Sequence, residues 1–360
     1  MLTTVSWEVF VMQKRIALFG GGAIGRTHAA AIERAANAVL HAIVDPDPAA
    51  GQLAERHGCR HVCRTEDLDV TAVDGAIIAA PNALHVPLGA RMLERGIPLL
   101  IEKPLAHSCE EAEIIAAQSE KAGVPVLVGH QRRHNPIIEA ARTAIDEMLI
   151  GDLVTGSISC TLLKPDSYFD LKWRTEPQSG GPILINLIHE IDLIRFLFGE
   201  VESVVAQVSP SRRGHLVEDG AIIGLRMAGG GLISIIVTDA GVGPWAWDLT
   251  AGENPERFPS INAASHIFAG TEGGLSLPDL SLWTHDGARQ WTTSMSARAL
   301  PHASADPYIR QIEHFLDVID NKTPPIATAR DGVMNLLVLQ AIQQSAQSQR
   351  TVTLRGGSAT

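Results

Sequence analysis

Gly20, Gly22 and Gly25 stand in the spacing G-x-G-x-x-G, directly after the apolar run Ile16, Ala17, Leu18, Phe19 and directly before an alanine-rich stretch from Ala23 to Ala36. Between a strand and a helix this spacing serves pyrophosphate binding. The first glycine permits a tight turn, the second lets the backbone approach the phosphates, and the third packs helix on strand, while the helix start at Ala23 and Ile24 turns its N–H groups to the anion. Asp45 closes a second apolar run (Val39 to Val44), twenty positions after Gly25. A carboxylate there accepts hydrogen bonds from an adenine ribose and repels a 2′-phosphate. Pro46, Asp47 and Pro48 bring no cation to offset it, so the expected cofactor is NAD rather than NADP. Either feature alone fits an ordinary turn; together they predict a dinucleotide site.

A second set of polar residues has the means for proton chemistry. Lys103 lies in Glu102-Lys103-Pro104 after the apolar run Pro98 to Ile101, and Pro81, Asn82 and His85 follow the run Ala76 to Ala80. Much later, Ile183 to Phe198 is apolar nearly all round and ends at Gly199, the pattern of a buried helix. Asn186, His189 and Asp192 recur there at a spacing of three, which places them on one face with His189 central. A single histidine on such a helix is ordinarily a core residue satisfied by its neighbours. Glu190 and Arg195 point away from that stripe, toward other partners or solvent.

The elements that must carry these residues follow from periodicity. Buried runs at Ile16 to Phe19, Val39 to Val44, Ala76 to Ala80, Pro98 to Ile101 and Val126 to Gly129 alternate with helical stretches near Ala49 to Arg56, His85 to Arg95 and Cys109 to Lys121. Such alternation predicts an α/β Rossmann domain with a doubly wound parallel sheet, whose ligands bind beyond the carboxyl ends of the strands. That rule selects Pro81, Asn82, His85, Glu102, Lys103 and His130 to Arg133. After a helix over Ile137 to Leu149, strand-like runs at Leu153 to Leu163, Val201 to Val208, Ala221 to Met227 and Leu232 to Thr238 predict an α+β C-terminal domain with a large, mostly antiparallel sheet. The expected division is a Rossmann domain over residues 12–135 and a substrate-binding and oligomerisation domain over 136–360. Residues Met1 to Val11 read as an extension outside the fold, consistent with a mis-assigned start before Met12.

Ala80-Pro81-Asn82 with His85, then Glu102-Lys103-Pro104, and the Gly180-Gly181 approach to a helix bearing His189 and Asp192 together resemble the glucose-fructose oxidoreductase / inositol dehydrogenase / rhizopine-catabolism family, over nearly the whole chain from Met12. The resemblance implies that Lys103 sits beside the nicotinamide and the substrate hydroxyl, after which the bond to Pro104 is a candidate cis peptide. It also implies that His189 is an acid/base, with Asn186 orienting it. Gly20, Gly22, Ala23, Ile24, Gly25, Asp45, Pro81, Asn82, His85, Glu102 and Lys103 are the expected cofactor contacts. Lys103, Arg132, Trp173, Arg174, Asn186 and His189 are the expected substrate contacts. Arg174 equally fits a surface salt bridge. The family commonly has an aspartate four residues before this histidine, where this chain has Ile185. A neutral Asn186 cannot stabilise an imidazolium as a carboxylate does.

The activity so implied is hydride transfer between NAD and a secondary alcohol of a sugar, cyclitol or related polyhydroxy compound. The rival readings are an NAD-dependent glycosidase using transient oxidation and a non-catalytic NAD-sensing protein. Composition excludes other classes. A formal charge of -11 without a Lys/Arg block repels phosphate backbones, and no apolar run approaches the ~18 residues of a membrane span. Neither a nucleic acid nor a membrane is expected as partner; a small molecule is. By resemblance the chain forms a homodimer or homotetramer. Four cysteines in 360 residues, with no signal-peptide pattern, suit reduced thiols in the cytoplasm. His57, Cys59, His61 and Cys63 alternate, which on a strand would place all four on one face and invites a zinc site, but metal sites usually gather ligands from turns or separated segments. The expectation there is a short strand and no metal.

Overall fold

A computed structural model describes residues 13–177 and 179–354; the expected extension, Met1 to Val11, lies outside the described residues. The chain divides into two compact units. The first comprises the described residues up to Ala106, with Glu110–Gly129 and Tyr308–Ala329. The second comprises His107–Cys109, His130–Pro307 and the chain from Arg330. A single boundary near residue 135 therefore gives way to a crossing chain: the apolar face of a late helix is used by the first unit.

In the first unit, β1 (Lys14–Phe19), β2 (Ala38–Val44), β3 (Arg60–Val62), β4 (Gly75–Ile78), β5 (Leu99–Glu102) and β6 (Val126–Gly129) form one parallel sheet. Its order, β3-β2-β1-β4-β5-β6, is doubly wound with the switch between β1 and β4. Every residue of β4, β5 and β6 is buried, which is why their sequences are continuous apolar runs rather than alternating ones. The helices α1 (Ala23–Arg34), α2 (Ala50–Arg56), α3 (His85–Leu93) and α4 (Cys109–Ala122) supply the connections. The returning segment completes this unit. The Val128 N–H donates to the Ala327 carbonyl at 2.8 Å, and a Cβ on Gly75 would lie 2.5 Å from Ile319 Cδ1. Glycine in β4 thus lets that helix pack against the strand.

In the second unit, α5 (Pro136–Asp146) leads to β7 (Leu153–Thr161), α6 (Ile188–Phe198), β8 (Val201–Val208), β9 (Gly220–Met227) and β10 (Leu232–Thr238). Then come α7 (Trp247–Thr250), β11 (His266–Gly270), β12 (Gly274–Leu277), β13 (Ser281–His285) and β14 (Met295–Ala299). After α8 (Pro307–Ile319), which belongs to the first unit but for its first residue, α9 (Ala329–Ser348) and β15 (Val352–Thr353) complete the chain. The nine-stranded sheet has the order β14-β13-β12-β11-β7-β10-β9-β8-β15 and is antiparallel except where β7 meets β10. The crossover through α6 sets β8 parallel to β7, and the antiparallel turns from β8 to β9 to β10 bring β10 back parallel beside β7. The inward residues of β9 and β10, among them Ile223, Leu225, Ile233 and Ile235, share one core with Ile138, Ile191, Ile194 and Leu339 from the helices. The opposite face carries Ile222, Leu232, Ile236 and Ile267, all exposed.

Candidate active site

The β1-to-α1 turn is shaped by what its glycines lack. Gly20 has φ +100°, a conformation that a side chain disfavours. A Cβ on Gly25 would lie 2.0 Å from the Gly20 carbonyl oxygen, so only glycine lets the helix close on the turn. Gly22, the N-cap of α1, meets nothing within 4 Å; with Ala23 it is exposed, leaving the helix N-terminus open to an anion. Asp45 is half-buried, accepting the Gly21 N–H at 2.7 Å and the Asp47 N–H at 2.8 Å. Its carboxylate is held at the turn, where it suits an adenine ribose. Open amides, a cradle with no Cβ and an oriented carboxylate fit a dinucleotide.

Beyond β5 the Lys103–Pro104 peptide bond is cis. Two buried groups brace this turn. The His85 ring, 1% exposed, has Nδ1 at 2.9 Å from the Pro104 carbonyl and Nε2 at 2.9 Å from the Ala80 carbonyl. Burial pushes the His85 pKa down, and a neutral imidazole donates to one of the two. His85 was expected to touch the cofactor; instead it ties the ends of β4 and β5 together. Glu102, also expected there, is likewise turned inward. Its Oε1 lies 2.8 Å from His28 Nε2 and its Oε2 accepts the Lys103 N–H at 3.2 Å. Burial pushes the Glu102 carboxyl up, but His28 and Lys103 outweigh it and leave it below the usual range. Beyond β4, Pro81 is exposed and Asn82 half-buried, where the helical turn Asn82–Leu84 begins.

The predicted helix over Ile183 to Phe198 is two segments: a π-helical turn, Ile183–Leu187, followed by α6. π turns within helices often mark functional sites. Asn186 lies in the π turn and half-buried His189 in the first turn of α6. The wider π turn shifts the register on which the three-residue stripe was read. The Asn186 Oδ1 accepts from the Lys164 ammonium at 2.6 Å, so its oxygen is committed to that lysine.

The other charges on α6 anchor it. Glu190, fully buried, takes Arg132 Nη1 at 2.8 Å on one oxygen and His266 Nε2 at 2.8 Å on the other. Burial pushes the Glu190 pKa up, yet Arg132 and His266 outweigh it and hold the carboxyl at about 2. Asp192, 1% exposed, accepts from Arg133 at 2.7 and 2.9 Å and from Asn335 at 2.8 Å. Arg195 pairs with Glu200 at 2.6 Å. Arg132, expected at the substrate, is therefore corrected to a buried anchor: it is 4% exposed and also reaches Asp248 at 3.3 Å. These contacts fix the helix that presents His189. Trp173 is 44% exposed, and Arg174 lies over the Tyr168 ring at 3.9 Å rather than in a surface salt bridge among the described residues.

No group of three or more His, Cys, Asp and Glu among the described residues could hold a metal ion. Of the alternating set, only His61 lies in a strand, Arg60–Val62, and its Nε2 is 2.9 Å from the Asp45 carbonyl. No helix among the described residues is long and apolar enough to cross a membrane.

Comparison with known proteins places this geometry. A profile of the oxidoreductase family's NAD-binding Rossmann fold matches residues 14–130, and one of its C-terminal alpha/beta domain matches residues 142–354. The chain belongs to the glucose-fructose oxidoreductase / inositol dehydrogenase / rhizopine-catabolism family. It is 27% identical to the rhizopine catabolism protein MocA of Rhizobium meliloti, over 91% of this chain and 93% of that one. It is 26% identical to inositol 2-dehydrogenase of Rhizobium meliloti (strain 1021), over 95% and 100%. A levoglucosan dehydrogenase solved with NADH and levoglucosan shares the fold, with TM-score 0.80 and 22% identity over 95% of this chain and 99% of that one. As a member of this family the chain is an NAD-binding oxidoreductase.

Two parts of this family member's site escaped the sequence. His28 shares a helix face with Ala31 and Ile32, at offsets of three and four, and all three are buried. That spacing marked His28 as inward-facing. Lys164 follows β7, but nothing in the sequence tied it to Asn186.

Proposed function

We propose that the chain is an NAD-dependent dehydrogenase that oxidises a secondary alcohol of a sugar, cyclitol or related polyhydroxy compound, or reduces the matching ketone. The observation that carries this reading is the braced Lys103 turn at the carboxyl end of β5, in a fold that binds NAD. NAD supplies the hydride acceptor. Lys103 donates a hydrogen bond to the carbinol oxygen, polarising it as the C–H bond breaks. His189 takes the hydroxyl proton on an imidazole nitrogen. Asn186 acts as a positioning residue through its place one turn before His189. Relatives named inositol 2-dehydrogenase and D-apiose dehydrogenase support a polyhydroxy substrate and favour a dehydrogenase over the glycosidase and sensor readings. The test is a panel of polyols, cyclitols and sugars with NAD: NADH formed with one of them supports the proposal. Tight NAD binding without NADH from any overturns it.

Asp45 supports a preference for NAD over NADP. Asp45→Ala is expected to weaken NAD binding by about tenfold or more, the size of one or two lost hydrogen bonds from a charged acceptor. It should narrow the gap to NADP, because repulsion of the 2′-phosphate goes with the carboxylate. Titration of both dinucleotides checks this; equal affinity of the wild type for NADP would contradict it.

Oligomerisation through the exposed sheet face belongs to the same proposal. Ile267, Ser157, Ser234, Gly224 and Val205 form one row across five strands, and Ile222 pairs with Ile236 in the next. Ile222 is 61% exposed and Ile236 49%, so a second copy covering them would bury apolar surface of the kind monomers seldom present. Ile222→Glu with Ile236→Glu is expected to give monomers by sedimentation, while an unchanged mass would place the interface elsewhere. The four free cysteines support the proposal of a reducing, cytoplasmic setting.

A further inference from the structure

Beside the helix that carries His189, two cations, Lys164 and Arg174, lack a close carboxylate of their own. Lys164 is 6% exposed, and its ammonium has one hydrogen bond shorter than 3 Å, to Asn186 Oδ1. Its nearest carboxylate oxygen, on Asp239, is 3.6 Å away. That carboxylate is already engaged at 2.9 Å by Arg213. Arg174 lies on the same Tyr168 ring as Lys164, the two cations 3.9 and 4.5 Å from its centroid. No carboxylate among the described residues pairs with Arg174. Its Nη1 donates to the Tyr168 carbonyl at 2.6 Å, and its Nε is buried with no acceptor.

Two like charges converging on one ring, with Lys164 sharing its carboxylate with Arg213, none on Arg174 and an unused buried donor, are costly unless something anionic completes the set. The helix does not provide it: Ile185 is apolar, Asn186 is a neutral amide, and Glu218, the carboxylate at the π turn, accepts the Ile183 N–H at 3.1 Å. The arrangement is built rather than loose. A Cβ on Gly180 would lie 2.2 Å from the Arg174 carbonyl oxygen, so the glycine before the π turn is what seats Arg174 against this helix. Lys164 in turn reaches the helix through Asn186, three residues before His189.

We propose that Lys164, Arg174 and Tyr168 form a carboxylate subsite next to His189, and that the substrate is a polyhydroxy carboxylic acid, of the aldonate or uronate class, rather than a neutral sugar. A carboxylate suits the guanidinium and ammonium together, offering two oxygens to charged donors. This inference rests on the dehydrogenase reading above.

The test uses the full-length wild type loaded with NAD, measuring both binding and NADH formation with D-gluconate and D-glucuronate against D-glucose and myo-inositol. The acids are expected to bind about tenfold tighter or better, the size of one charge-assisted hydrogen bond, and to show the higher kcat/KM. Lys164→Met and Arg174→Gln should each raise KM for the acids by a similar factor while moving kcat less, and should narrow the preference for acids over neutral compounds. Lys164→Arg, which keeps the charge, should retain part of the preference. Equal binding of acids and neutral compounds by the wild type would overturn the subsite even if either variant fails to fold. NADH from neutral compounds alone would overturn the subsite and leave the dehydrogenase standing. No NADH from any compound, in the wider panel as well, would overturn both.

Discussion

Lys103→Ala and His189→Ala are each expected to lower kcat by about a hundredfold or more while leaving NAD affinity nearly unchanged, the loss typical of a positioned acid/base or hydrogen-bonding group. The two halves of this expectation rest on different parts of the chain. On the proposed reading affinity resides in the Gly20-to-Gly25 turn, the open start of α1 and Asp45, none of which uses either side chain. Turnover needs a donor on the carbinol oxygen and a proton acceptor. The Lys103 backbone is set by its cis bond to Pro104, by His85 on the Pro104 carbonyl and by Glu102 on its own N–H. Removing the side chain leaves that frame intact. Asn186→Ala should cost less than His189→Ala, because Asn186 acts through position. Steady-state kinetics with a dinucleotide titration on each variant checks the expectation, and full turnover by either alanine variant would contradict the assigned role.

Glu190→Ala is expected to cost about 3–5 kcal/mol of stability, among the largest effects available to a single substitution here. The change strands the Arg132 guanidinium and the His266 ring in the core, since both lean on the two oxygens of one carboxylate with 0% exposure. Replacing Glu190 and Arg132 together by Gln and Met should cost less, because the buried carboxylate and guanidinium leave together and the partner lost is the part-exposed Asp248. Acid should act in the same direction. The carboxyl lies at about 2 in the folded chain against an ordinary 4.5, so its contribution is whole above the ordinary value and is lost as the pH falls toward the folded one. Urea unfolding followed from neutral pH into that window measures both effects. A midpoint unmoved in Glu190→Ala would mean that the network carries no stability.

Much of the first unit was legible because its signals are local. A parallel sheet buried on both faces writes continuous apolar runs, and the glycine spacing and Asp45 lie where backbone sterics require them. The second unit was legible in part. Its helix announced itself by an apolar run ending at Gly199, but the π turn did not, since one extra residue per turn leaves no mark on a sequence that is apolar all round. Strands β11 to β14 were not read from the sequence: at four or five residues they are too short for a period to stand out, and β14 is exposed throughout. Arg132, His85 and Glu102 were placed at the ligand by their position at strand ends. In each case a long-range partner, Glu190, the Pro104 carbonyl or His28, draws the side chain inward, and such pairings depend on contacts that sequence spacing does not encode.

The most direct measurement of the central claim follows the hydrogen itself. A substrate chosen from the panel of acids, polyols and cyclitols, deuterated at the carbon to be oxidised, is turned over with NAD, and the reduced dinucleotide is analysed by mass spectrometry and NMR. Hydride transfer predicts one deuterium at the nicotinamide C4 for each ketone formed, with a slowed rate in the wild type if C–H cleavage limits turnover. Substrate consumed with no net NADH, or NADH formed without the label, would contradict it.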